Sequence, residues 1–189
     1  MDWVKEKEGE TLEQGDVLPL FPFPKILNLA STLDNGTEEV SVSIGKQMAI
    51  VITQSCDIAQ EKVNNIMLCP VYSLGEYTKI LEKYGLSNGK IKEEIGNTRK
   101  NAQYSKFLIN KTTINGINDY FIVDFDSVAS ASLKEVEAIA NRQQLFSLQT
   151  PYRERMAQNY AFFYMRIGFD YDIDRNDLKE KLNDYLTES

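Results

Sequence analysis

Gln54, Ser55, Cys56 and Asp57 place an amide, a hydroxyl, a thiol and a carboxylate in four consecutive positions, directly after the apolar run Met48–Thr53. That pattern suits a nucleophile displayed at the end of a buried strand, where a rigid support can hold it. A thiol attacks as its thiolate, which a neighbouring cation must favour. The chain has no histidine, so that cation would have to be lysine or arginine, and the adjacent Asp57 works against it. A hydrolase built here would use Cys56 as nucleophile, Asp57 or Asp16 as base and an arginine such as Arg142 to steady developing charge. The plainer alternative makes Cys56 a small buried hydrophobe and Asp57 a turn cap.

The missing histidine also removes Ser-His-Asp triads, Cys-His proteases, histidine phosphotransfer and nearly every catalytic zinc site. Cys56 and Cys69 lack metal-ligand spacing, and neither a metal nor a cofactor is expected. A second group of chemically interesting residues is basic: Arg142, Arg153, Arg155 and Arg166. Arg153 and Arg155 fall in the first turns of a predicted helix, where the dipole disfavours positive charge. Either a carboxylate (Glu154, Asp124 or Asp126) or an anionic ligand would explain that placement. Asp16, Gln54, Ser55, Arg153 and Arg155 are therefore the expected ligand contacts. Tyr160, Phe162, Phe163 and Tyr164 follow helical spacing and read as core, not as a base-stacking platform.

The elements that must position these groups can be read from periodicity. Residues 1–14 are polar and acidic, a loosely held arm with Trp3 and Val4 as its anchors. A single α+β domain follows over 15–189. Val17–Leu20 reads as a short strand, confined by Pro19, Pro22 and Pro24 to an edge. Alternation over 39–44, then Gly45-Lys46, then the apolar run at 48–54 predicts a hairpin. Ile66–Tyr72 is another apolar strand, with Pro70 implying an unpartnered side at that point. Apolar residues at 74, 77, 80, 81 and 84, followed by Gly85, predict a helix. Residues 86–103 read as a polar insertion with room for a short helix. Phe107–Asn110 and Tyr120–Phe125 are strands joined at Asn115-Gly116. Leu133–Ala140 suits a helix and Gln144–Leu148 an extended segment. Thr150-Pro151 predicts the start of a long helix over 150–167 with Tyr152, Met156, Tyr160, Phe163 and Ile167 on one face. A last helix is expected over 176–186.

With 21 basic and 28 acidic residues, the formal charge is −7, which excludes a broad phosphate-binding surface. Composition is globular, with 42% hydrophobic and 26% charged residues. There is no apolar run of membrane-spanning length and no secretory signal, so the expected location is the cytoplasm. A protein partner, or a second copy of the chain, is expected ahead of nucleic acid, and no membrane contact.

Gln14-Gly15-Asp16-Val17, followed by Ala49–Gln54, resembles the opening of the PemK/MazF toxin family. That resemblance implies a bent, mostly antiparallel sheet or SH3-like β-barrel, here with the long C-terminal helix packed on it. Thr53-Gln54-Ser55-Cys56-Asp57-Ile58, with Arg142 and the Pro151–Gly168 helix downstream, also resembles small bacterial proteins of mobile or defence gene clusters. Together these imply a binding or accessory module of a toxin–antitoxin-type or defence system. A ribonuclease or other hydrolase, and an oligomer-forming structural protein, are the alternatives.

Overall fold

Strands form where β-branched and aromatic residues alternate or run together, as at Met48–Thr53 and Tyr120–Phe125. The computed structural model describes residues 2–9, 11–27, 41–100, 102 and 104–165. Within them lie β1 (Val4–Glu6), β2 (Asp16–Leu27), β3 (Ser41–Val51), β4 (Asn65–Ser73), β5 (Lys106–Ile114), β6 (Ile117–Asp124), β7 (Ala129–Ser132) and β8 (Phe146–Leu148). The helices are α1 (Ser55–Ala59), α2 (Leu74–Lys83), α3 (Asn88–Arg99), α4 (Leu133–Ala140) and α5 (Tyr152–Tyr164). All pairings are antiparallel, in the order β1-β8-β2-β3-β4-β6-β5, with β7 beside β4.

The fold is thus α+β with an open antiparallel sheet. Side chains from one face of β1 through β6 and β8 converge on a single cluster with Met156 of α5, so the sheet is strongly bent. Its edge strands approach each other: Trp3, before β1, lies 6.4 Å from Phe107 of β5 between ring centroids. Among the described residues no ladder joins those edges, so of the two expected forms, a bent sheet or a β-barrel, an open bent sheet is what the strands show. On the outer face, Ala49, Val51, Ile66 and Leu68 pack under α4, and Ile122 packs under Tyr77, Leu81 and Ile91 of α2 and α3. Residues 48–51 are therefore buried on both faces, as their unbroken apolar run predicts.

Several expectations need correction. Residues 41–51 form one strand, not a hairpin of 39–44 with 48–54. Gly45 sits in mid-ladder opposite Phe23, and the strand paired with this one is β2. The N-terminal arm is not loose: β1 pairs with β8, Val4 and Leu12 are buried, and Trp3 stacks on Tyr152 at 3.8 Å. The 86–103 insertion contains the ordered helix α3. The C-terminal helix spans 13 described residues and is not long; it begins after Pro151, and Thr150 serves it through a hydroxyl bond to Glu154 instead of as N-cap. Arg166, Ile167, Gly168 and the expected 176–186 helix lie outside the described residues.

The prolines follow the ladder. Pro70 falls between the stretch of β4 paired with β7 (65–68) and the stretch paired with β6 (71–73), where a missing N–H costs no bond. Pro19, Pro22 and Pro24 lie in the part of β2 that β8 no longer reaches. There the Gln143 amide stands in for a strand, accepting from Leu20 N–H at 2.9 Å and donating to Leu20 C=O at 3.0 Å.

Candidate functional site

The chain after β3 turns directly into α1, which carries the thiol and carboxylate to an open tip. Cys56 is exposed, not a buried hydrophobe, while the buried thiol is Cys69, pushed up in pKa by desolvation. The Cys56 sulfur has two polar neighbours, Gln54 Oε1 at 3.6 Å and Asp57 Oδ1 at 3.7 Å. Both are acceptors, and among the described residues no lysine or arginine is paired with the thiol. Ser55 holds the tip to the preceding loop by accepting from Gln14 N–H at 3.0 Å, and the Gln14 amide donates to Ile52 C=O at 2.7 Å.

Arg142 is not part of that tip. It follows α4 and lines a depression with Phe21, Pro22, Glu135 and Ile139. Nor does Asp16 reach it. Asp16 is 1% exposed and anchors an internal charge cluster at the start of β2. Its Oδ2 accepts from Lys7 Nζ at 2.9 Å and Glu13 N–H at 2.7 Å, and its Oδ1 from the Ser147 hydroxyl at 2.5 Å. Burial raises the Asp16 pKa above its ordinary value, outweighing the hydrogen bonds and the lysine that lower it. Arg153 closes this cluster from outside, its Nη1 at 3.5 Å from Glu13 and Nη2 at 3.4 Å from Glu154. Gly15, at φ +86°, makes room: a Cβ there would stand 3.0 Å from Arg153 Cγ. A second closed cluster joins Lys106 to Asp124 at 2.7 Å and to Asp126, which occupies the two carboxylates expected near Arg153.

Arg155 behaves differently, and it marks the site that sequence reasoning reached only in part. Residues two apart on a helix do not share a face. Arg155 turns away from Arg153 into a cleft of about 620 Å³, together with Gln158 and Asn159 at i+3 and i+4. The cleft lies at the open seam of the sheet: Trp3 borders it from the β1 side, Phe107 and Asn110 from β5, and Tyr120 from β6. Arg99, in the last turn of α3, supplies a second cation. Among the described residues neither arginine has a carboxylate at ion-pair distance. For Arg99 the helix C-terminus is a favourable place; Arg155 stands near a helix N-terminus, against the dipole. The Arg155, Gln158, Asn159 spacing was a readable polar stripe. Nothing local ties Arg99, Asn110 or Tyr120 to it.

The chain matches no protein-family model, no curated protein and no solved structure. Among the described residues no helix is long and apolar enough to cross a membrane.

Proposed function

We propose that the chain is a binding module, acting by recognition of an anionic group and carrying no hydrolytic chemistry of its own. The observation that supports this reading most is the pair Arg99 and Arg155, two cations facing one cleft without carboxylate partners among the described residues, in a chain of net charge −7. The hydrolase alternative lacks such support. Among the described residues its nucleophile has two acceptors, Gln54 and Asp57, beside it, Arg142 stands in another depression, and Asp16 is sealed by Lys7 and Ser147. An acidic side chain of a protein partner or a phosphate would each satisfy the two arginines. The resemblance of Thr53–Ile58 to bacterial defence-cluster proteins, and of Gln14–Val17 and Ala49–Gln54 to the PemK/MazF toxin family, supports a cytoplasmic accessory role in a toxin–antitoxin-type system.

Incubation with RNA, DNA and activated esters, with and without Mg²⁺, tests this. The expected result is no turnover, with Cys56 alkylated by iodoacetamide at the rate of an ordinary exposed cysteine. Turnover that Cys56→Ala or Asp57→Ala abolishes would replace the binding module with the enzyme.

A further inference from the structure

Resting on that reading, we infer that the seam cleft takes a mononucleotide, its phosphate between Arg99 and Arg155 and its base against Trp3 and Tyr120. The volume, about 620 Å³, lies within the ~300–1,000 Å³ range of small-molecule sites. Guanidinium groups suit phosphate because their donors form a planar fork that matches its oxygens. Aromatic walls would be idle against a bare carboxylate or inorganic phosphate, but they stack a base. Trp3 is braced for that role, since Tyr152 already stacks on it with planes 11° apart. Tyr120 stays 38% exposed. The Asn110 and Gln158 amides at the cleft add the mixed donors and acceptors that a base edge requires.

A free mononucleotide fits better than one residue of a strand. Two arginines match one phosphate group, and a longer backbone would leave them for a chain carrying 28 acidic against 21 basic residues. Trp3 is the single tryptophan, so its fluorescence reports on the cleft directly.

Titration of the full chain with AMP, GMP, CMP and UMP, followed by Trp3 fluorescence and by calorimetry, provides the test. At least one mononucleotide should bind saturably, with its nucleoside and inorganic phosphate each weaker by about tenfold or more. Arg99→Gln and Arg155→Gln should each weaken binding about tenfold with the circular dichroism spectrum unchanged. Trp3→Phe, read by calorimetry, should retain binding, because a ring remains for stacking. No calorimetric binding of any mononucleotide, or binding indifferent to both arginine substitutions, would overturn the inference. So would tighter binding of oligo(U) with increasing length, or of an oligoglutamate peptide. The peptide result would leave the binding module standing and change its ligand, whereas turnover lost with Cys56 would remove the module itself.

Discussion

Two residues apart on α5, Arg153 and Arg155 meet opposite fates. Arg153 lies over Gly15, bridges Glu13 and Glu154, and seals the cluster in which Lys7 and Ser147 satisfy the buried Asp16. Arg155 enters an open cleft beside Arg99 with no carboxylate partner among the described residues. The helix turn separates them, and their surroundings give them different work. A charge whose partners are all internal ties segments together: here the stretch after β1, the start of β2 and β8. A cation left unpaired in an acidic protein is available to something from outside. On the proposed reading the Asp16 cluster is structural and the Arg155 cleft is the ligand site, although both lie within reach of one helix.

Disruption of the sealed side is expected to have the largest effect. Lys7→Met strands the Asp16 carboxylate, and the loss should be about 3–5 kcal/mol in urea unfolding, as for removal of one partner from a buried ion pair. Lys7→Met with Asp16→Asn should cost clearly less than the sum of the two single changes, because no buried charge is left unpaired. The pH dependence has a defined sign. With its folded pKa raised above the ordinary 3.8, Asp16 binds more proton in the native than in the unfolded state between those two values. Its contribution is therefore fully present below 3.8 and declines as pH rises through the raised pKa. Wild type minus Asp16→Asn, which does not titrate there, should show that decline. Additive single and double changes, or a rising difference, would make the cluster something other than a coupled internal pair.

The contrast also explains what could be read from sequence. The strand at 48–51, the Asn115-Gly116 hairpin, and the helix stopped by Gly85 were legible because each signal is local: an apolar run, a turn dipeptide, a stripe with a stop. Gly45-Lys46 gave the same kind of signal and misled, since a glycine can lie in a ladder when the strand opposite continues past it. Asp16 was visible as a polar residue near a Gly, but its burial depends on Lys7 and Ser147, far off in the chain. The cleft is harder still. Arg155, Gln158 and Asn159 form a local stripe, yet Trp3, Arg99 and Tyr120 join them through the bend of the sheet. Cys56 was legible as a thiol at a strand end; its exposure, with Gln54 and Asp57 beside it, depends on how α1 leaves the sheet.

A smaller effect is expected where backbone and Arg153 meet. Gly15 has φ +86° and its missing Cβ leaves space that Arg153 Cγ fills. Gly15→Ala combines a left-handed conformation with a displaced arginine stem, and should cost about 1–2 kcal/mol in thermal or urea unfolding. The same change should leave ligand binding at the Arg155 cleft intact. Altered binding would mean that the two sides of α5 are coupled and the division between them is wrong.

The smallest expected difference lies between the two arginines themselves. Arg153 is one-third exposed and its ion-pair distances are long, at 3.5 and 3.4 Å. Arg153→Gln should therefore lose about 0.2–1 kcal/mol, the range for surface pairs. Arg155→Gln removes a cation that stabilises nothing among the described residues and relieves an unfavourable position near a helix N-terminus. Its stability should match wild type or exceed it, within about 0.5 kcal/mol. Parallel urea titrations at low ionic strength would resolve the order. A residue placed for folding loses stability when neutralised, and a residue placed for a ligand does not. A loss at Arg155 equal to or greater than that at Arg153 would return Arg155 to the structural side and leave the cleft without its cation.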